Sequence, residues 1–527
     1  MKTLFLTGAS VLALIAAPAW AQTNPGSNQS TVTQSGTEGV ATVGQAGTNA
    51  TSVIRQQTGT NNRATVAQSG NGAESTILQA NASGSPDDDN MATVTQAGDS
   101  FSEVRQTNDG ATATVTQTGD SHYSLVVQSG DDDDADVEQS GEDQDSTITQ
   151  NGNDNDASVT QSNLSNDSIV VQTSGNNSAI VNQAGEEGSS LITQGGLGAH
   201  SANVLQTSGL GNAAIVTQSG FGNSAGDAAA GVTQSGDRNN AVITQAGGLQ
   251  EATVTQSGSS GTAVTQNNRA NVDQGGVLGA SHSATIVQAD TKNEADVVQR
   301  GYLSDAVVRQ AGDDNRVRVD QGGTFGGGHI AAVNQGQTGL ADGNSAEIVQ
   351  RGVDQQAYID QIGSENRSEI NQGDGFGTAQ YAASTQSGDF ALSVIRQRGL
   401  DQRAEVSQTG DSVSMAMRSD SNVNQSGEGQ FAKVSQTGTF VRSTLNQSNA
   451  DNSADITQGG DNNISNALQS GQRNELKLIQ ASSGNISTIT QTGDDSKATV
   501  YQYSAGNTST VTQSGTFHTA TVTQGSN

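Results

Sequence analysis

The sequence predicts an all-β chain: a flattened β-solenoid (β-helix) of about 22-residue coils, two short strands per coil, with in-register Gln, Asn and Ser ladders inside. Three observations carry this prediction. Glutamine recurs at positions 106, 117, 128, 139, 150, 161, 172, 183 and 194, and again every eleven residues from Gln425 to Gln524. Each such glutamine closes an alternating segment, as in Ala64-Thr65-Val66-Ala67-Gln68 and Ala520-Thr-Val-Thr-Gln524. Four residues before it, the chain alternates Ser30, Ala41, Ser52, Ala64, Ser75, Ala92, Ser102 and Ala113, which doubles the true period.

The alternating segment is the strand. Small residue, β-branched residue and glutamine fall on one side and Thr, Ser, Asp, Glu or Arg on the other, the period-two pattern of a strand with one covered face. The same spacing cannot make one stripe on a helix. Inward positions therefore include Val66, Val115, Val137, Val159, Val181, Ile359, Val406, Val434, Ile456, Val500 and Val522. The ladder comprises Gln34, Gln45, Gln68, Gln117, Gln139, Gln161, Gln183, Gln361, Gln408, Gln436, Gln458, Gln502 and Gln524. Stacked amides can chain donor to acceptor from coil to coil, as in cross-β ladders. Between strands, Gly-x-x-Asn and Gly-Asp segments supply residues that tolerate positive φ and turn the chain. Of three prolines only Pro86 lies within the array, in an insertion between Gln79 and Gln96, as expected of a ladder that needs its N–H groups.

Gln34 and Gln524 are 490 residues apart, about 22 coils, which at a strand spacing of roughly 4.8 Å makes a rod on the order of 100 Å long. Serine leaves its column from Ala214 through Ala346, where Thr262 and Val317 also occupy it, and returns at Ser368. The chain thus reads as a signal peptide (1–21), a short linker (22–29), regular repeats (30–206), irregular repeats with loop insertions (207–350) and regular repeats (351–527). The signal peptide has a basic start, an apolar run from Leu4 to Ala17, and small residues at Ala19 and Ala21 that place cleavage before Gln22. That run is too short to span a bilayer, so stable membrane insertion is not expected.

With 31% hydrophobic residues, 3% aromatics and a net charge of −31, ordinary globular cores could not be filled. The acidic balance excludes a nucleic-acid binder, and the absence of cysteine removes disulfides, thiolate metal sites and a cysteine nucleophile. Asp87, Asp88 and Asp89, and Asp131, Asp132, Asp133 and Asp134, read as solvated gatekeeper acids whose in-register stacking opposes assembly until screened. Their spacing matches neither an EF-hand nor the calcium-binding nonapeptide. His122, His200, His282, His329 and His518 are scattered, lack metal-ligand spacing and read as solvated loop residues. Gly98-Asp99-Ser100 and Gly119-Asp120-Ser121 resemble an esterase element but are a common turn of this repeat. No enzyme and no cofactor is expected.

Units such as Asn62-Arg63-Ala64-Thr65-Val66-Ala67-Gln68-Ser69-Gly70 and Ala357-Tyr358-Ile359-Asp360-Gln361-Ile362-Gly363 resemble the curlin repeat, above all that of the curli nucleator subunit, over nearly all of residues 28–527. The resemblance implies a Gram-negative bacterium, secretion through an outer-membrane channel, and self-association, with or without other curli-like subunits, into cell-surface amyloid fibres that serve adhesion and biofilm matrix. This chain departs from the family in length and in the brevity of the segment Gln22 to Gln29 before the first repeat. First and last strands share the interior pattern, so end-to-end templated stacking would continue the ladder. Two other readings compete. One is a soluble monomeric solenoid adhesin displaying its insertion loops; the other is an ice-binding solenoid, suggested by pairs such as Thr114 and Thr116 but opposed by Asp136 and Glu138 on the same face.

Overall fold

The computed structural model describes residues 26–80, 89–221, 229–258, 268–275, 281–322, 327–336, 342–373, 378–411, 414–415 and 418–526. The signal-peptide residues Ala19, Ala21 and Gln22, the acids Asp87 and Asp88, and Thr262 lie outside them. Forty-two strands are described, from β1 (Gln29–Gln34) and β2 (Val40–Gln45) to β41 (Thr508–Gln513) and β42 (Thr519–Gln524). No α-helix occurs among the described residues. Among the same residues no helix is long and apolar enough to cross a membrane.

Pairing is parallel, and each strand pairs with strands two places away in sequence. Two sheets of 21 strands result, one odd-numbered and one even-numbered, and successive pairs of strands form the coils of a β-solenoid. Register is in phase throughout: Ala135 lies beside Ala157, Val137 beside Val159 and Gln139 beside Gln161. The doubled period now has its cause. Ser52, Ser75 and Ser102 stack on one wall and Ala41, Ala64 and Ala92 on the other.

The chain divides into two compact units, one up to Thr255 and one from Gln256, with a brief exchange at 260–262. Within the first, the fully buried isoleucines Ile54, Ile77, Ile148, Ile192 and Ile243 all belong to the serine-column wall, against valines such as Val115, Val137 and Val159 on the alanine wall. On these rungs a larger residue faces a smaller one across the interior, the complementarity that close packing requires. Turns are built on residues with positive φ, many of them Asn or Asp, such as Asn61, Asp132, Asp154 and Asn176, whose short polar side chains tolerate that conformation. Glycine two places after the glutamine has a further reason. A Cβ on Gly130 would collide with the Gly152 carbonyl oxygen of the next coil.

The expected strand at Thr262 to Gln266 lies outside the described residues. The even-numbered wall steps directly from Gln256 to Gln288, 32 residues on, rather than the usual 22.

Candidate functional site: buried ladders and terminal coils

The ladder glutamines lie where the sequence puts them. In the first unit, Nε2 of Gln45 donates to Oε1 of Gln68, and the chain of bonds continues through Gln96, Gln117, Gln139, Gln161, Gln183 and Gln206 to Gln234. In the second, Gln335 donates to Gln361, and the chain runs through Gln386, Gln408, Gln436, Gln458, Gln480 and Gln502 to Gln524. These bonds span 2.7–2.9 Å. Amide N and O atoms are about 2.2 Å apart, so one amide laid along the axis plus one hydrogen bond matches the strand spacing of roughly 4.8 Å. The second N–H is used as well. Gln139 Nε2 also donates to the carbonyls of Tyr123, at 3.0 Å on the facing wall, and Gln144, at 3.1 Å in the following turn. A single glutamine thus ties coil to coil and wall to wall.

Serine does not form the ladder expected of it. Ser52, Ser102, Ser124, Ser146, Ser168 and Ser190 are buried, and their hydroxyls have no partner. A hydroxyl presents donor and acceptor on one atom and cannot bridge the strand spacing. Such bonds do occur from Ser465 to Ser443 and from Ser509 to Ser487, both 3.0 Å. The column's use is its small volume.

A second ladder, at the corner just before each strand, was not singled out in the sequence. Here the backbone N–H of one coil donates to the side-chain acceptor of the coil before it. Asn177 N donates to Asn155 Oδ1 at 3.1 Å, and Asn474 N to Asn452 Oδ1 at 3.1 Å. The corner amide also donates to the carbonyl four residues earlier, as Asn166 Nδ2 does to Ser162 at 2.7 Å. The signal was available as Asn, Gln, Ser or His directly before each strand, six residues ahead of the glutamine that closes it, as Asn155 stands to Gln161 and His200 to Gln206.

The histidines correct the sequence reading. His122, His200, His282 and His329 are buried, at no more than 2% exposure, and all five histidines occupy corners. His122 replaces asparagine atom for atom: its Nδ1 accepts from Gln144 N at 3.3 Å and its Nε2 donates to the Thr118 carbonyl at 3.2 Å. That arrangement requires the neutral ring, and burial lowers its pKa. Ser304 N donates in the same way to His282 Nδ1, at 3.4 Å. Burial, with Arg300 nearby, holds His282 down at about 4. Burial and then Arg351 do the same to His329, also to about 4.

The acids divide. Asp89 and Asp132 are exposed and Asp134 begins a strand. Asp133 is not solvated: it is 1% exposed and fills a corner, accepting from Gly130 N at 3.1 Å and from Asn155 N and Nδ2 at 3.1 and 3.0 Å. Burial pushes it up to about 6, against the pull of those bonds.

The inward positions Val66, Val115, Val137, Val159, Val181, Ile359, Val406, Val434, Ile456 and Val500 are buried. Val522 is half-buried, as are Val32, Val43, Gln34, Gln45 and Gln524. They belong to the first and last described coils, where one side of the rung has no described strand stacked on it. Among the described residues no group of three or more His, Cys, Asp or Glu could hold a metal ion.

The curlin associated repeat matches residues 109–141, 130–162, 227–258, 291–323, 341–373 and 493–525. No curated protein matches the chain. The repeat is a structural, non-enzymatic one, and the copies span parts of both units. With the parallel in-register coils and continuous glutamine ladders, they make this chain a member of the curlin repeat family.

Proposed function

We propose that the chain is the structural subunit of extracellular curli-like amyloid fibres, exported from a Gram-negative cell through an outer-membrane channel and serving adhesion and biofilm matrix. Assembly proceeds by templated strand addition at the terminal coils, with or without other curli-like subunits. The observation that carries this reading is the state of those coils. Val32, Gln34, Val522 and Gln524 belong to columns that are buried elsewhere, yet are half-buried here. Their edge N–H and C=O groups are those of a parallel in-register sheet, a template for another chain. The acids Asp87, Asp88, Asp89, Asp131, Asp132 and Asp134 add charge that slows stacking at low salt.

The test is dilution of residues 22–527 from denaturant. Fibres with a 4.8 Å meridional reflection, a thioflavin lag phase and its removal by preformed seeds are expected. A stable monomer without the reflection overturns the reading and leaves the soluble solenoid adhesin in its place.

A further inference from the structure

Three turns of the second unit share one device. Gln299-Arg300-Gly301, Gln350-Arg351-Gly352 and Gln397-Arg398-Gly399 each put an arginine directly after a ladder glutamine. In each case the coil before has glycine in register with that arginine: Gly275, Gly322 and Gly373. With no side chain in the way, a guanidinium can cross to the residue two places before the glycine. Arg300 does so, donating from Nη1 to the Asp273 carbonyl at 2.8 Å and from Nη2 to the Asp273 carboxylate. Arg351 treats Asp320 in the same way, at 3.0 and 2.7 Å. At the third turn the acid is missing. Asn371 stands where Asp273 and Asp320 stand, and among the described residues Arg398 has no ion-pair partner.

A second arginine lies next to that unpaired charge. Arg396 shares the outward face of β31 (Leu392–Leu400) with Arg398, two residues and roughly 7 Å along the strand. Its Nη2 donates to Glu369 Oε1 at 3.1 Å, which occupies one donor of its fork. Both arginines line a recess of about 290 Å³, together with Asn424 and Ser426 of β33 (Asp420–Glu428) and Asn446 and Ser448 of β35 (Arg442–Ala450). Asn424 Nδ2 donates to Asn446 Oδ1 at 2.9 Å, so the other end of each amide is left for a further bond. In a chain of net charge −31 this polar recess walled by two arginines is a local exception.

We propose that the recess binds a uronate unit of an acidic polysaccharide. The arginine fork matches a carboxylate bidentately, and the neighbouring amides and hydroxyls suit ring hydroxyl groups, which an inorganic anion does not offer. The volume lies at the small end of the range for ligand pockets and suits a single ring. Acids of a second copy fit less well. Those of Asp134 and Asp156 stand directly on a sheet wall, and an aspartate side chain is too short to carry its carboxylate into a recess on another sheet. The site lies in interior coils and does not depend on whether the chain polymerises.

The test is calorimetric titration of residues 22–527 with a galacturonate hexamer, with free galacturonate, with a neutral glucose hexamer and with inorganic sulfate. The galacturonate hexamer should bind, more weakly at high salt, and the neutral hexamer should not. Free galacturonate should compete for the same site, and sulfate should compete far less. Arg398→Gln should weaken binding at least about tenfold, as expected for loss of a charge-assisted contact, and Arg398→Lys should weaken it less. Asn371→Asp restores the acid of the other two turns beside Arg396 and should also close the site. Arg309→Gln removes an equal charge from the even-numbered sheet and should leave binding unchanged. Equal binding of the neutral hexamer, equal competition by sulfate, or an affinity that neither Arg398→Gln nor Asn371→Asp lowers overturns the proposal. So does an absence of uronate binding, and self-association that needs Arg398 would then put an acidic turn of a second copy in the recess.

Discussion

Between Asp134 and Asp167 the outward columns of the first unit stack carboxylate on carboxylate. Asp134 lies beside Asp156, and Asp145 beside Asp167. Partial burial followed by the neighbouring charge raises the pKa of Asp134 and of Asp167. In the second unit the same columns place opposite charges in register. Glu294 stands between Arg269 and Arg316, Arg318 reaches Glu347 at 2.7 Å, and Lys497 reaches Glu475 at 2.7 Å. Among the described residues every ion pair except Arg105–Glu103 belongs to the second unit. Residues 1–255 hold 26 Asp and Glu against 5 Lys and Arg, and residues 256–527 hold 27 against 17. Both units nevertheless keep the same register and the same inner ladders. Interior amides and apolar columns hold the coil, and the outer columns adjust its response to pH and salt.

The largest expected effect tests whether the interiors are equivalent. Gln161→Leu in the first unit takes the axial acceptor from Gln139 Nε2, which keeps its carbonyl bonds, and leaves Gln183 Oε1 without its donor; Gln458→Leu in the second does the same to Gln436 and Gln480. With one buried acceptor unsatisfied and one axial bond lost, each should cost roughly 2–4 kcal/mol. The loss should appear as reduced hydrogen-exchange protection in the substituted coil and its neighbours. Clearly unequal losses would break the comparison at its base.

Acidification should separate the units next. An unfolded imidazole titrates near 6.5, and His282 and His329 sit at about 4 when folded. The unfolded chain then binds more protons, so stability falls as pH drops through 6.5 toward 4, by about 3 kcal/mol per histidine at pH 4. Arg300 and Arg351 reinforce this, and Asp354 opposes it at His329. Asp133 behaves oppositely. Its folded pKa of about 6 lies above the unfolded value, so its coil gains about 2 kcal/mol as pH falls from 7 to 4. Exchange protection should loosen around Ser304 and tighten around Asn155, although His122 and His200 in the first unit pull their own corners the other way. His329→Asn should abolish the acid loosening locally, and Asp133→Asn should remove the acid gain. A parallel response at both corners would contradict the assignment.

Salt should have the smallest effect. Screening relieves the Asp134–Asp156 and Asp145–Asp167 stacks while weakening pairs such as Lys497–Glu475. Raising NaCl should therefore stabilise the first unit and leave the second unchanged or slightly weaker. Glu475→Gln should cost no more than about 1 kcal/mol, as for other exposed pairs. Denaturant midpoints of the variant and of the unsubstituted chain at two salt concentrations measure both.

Much of this architecture was legible because it depends on short-range periodicity. Alternation put Val137 and Gln139 inside and Asp136 and Glu138 outside, and the serine-alanine beat revealed two walls before any pairing was known. The corner ladder was missed because the turns were counted from the preceding glutamine. Turns from Gln194 to Ser201 and from Gln128 to Asp134 differ in length, so His200 and Asp133 share no offset from the preceding glutamine, although each stands six residues before the next, Gln206 and Gln139. The histidines consequently read as scattered and Asp133 as a surface acid.

The sequence by itself determined the coil period, the inward face and the identity of the glutamine ladder, since each follows from the two-residue repeat of an extended chain. The tertiary structure alone decided which residue of one coil lies above which residue of the last. That vertical neighbour turns His122 into a substitute for asparagine, buries Asp133, leaves the serine hydroxyls unbonded, and gives the amide ladder its direction. Each of these depends on a separation of roughly 4.8 Å along the axis, between residues about 22 apart in the chain.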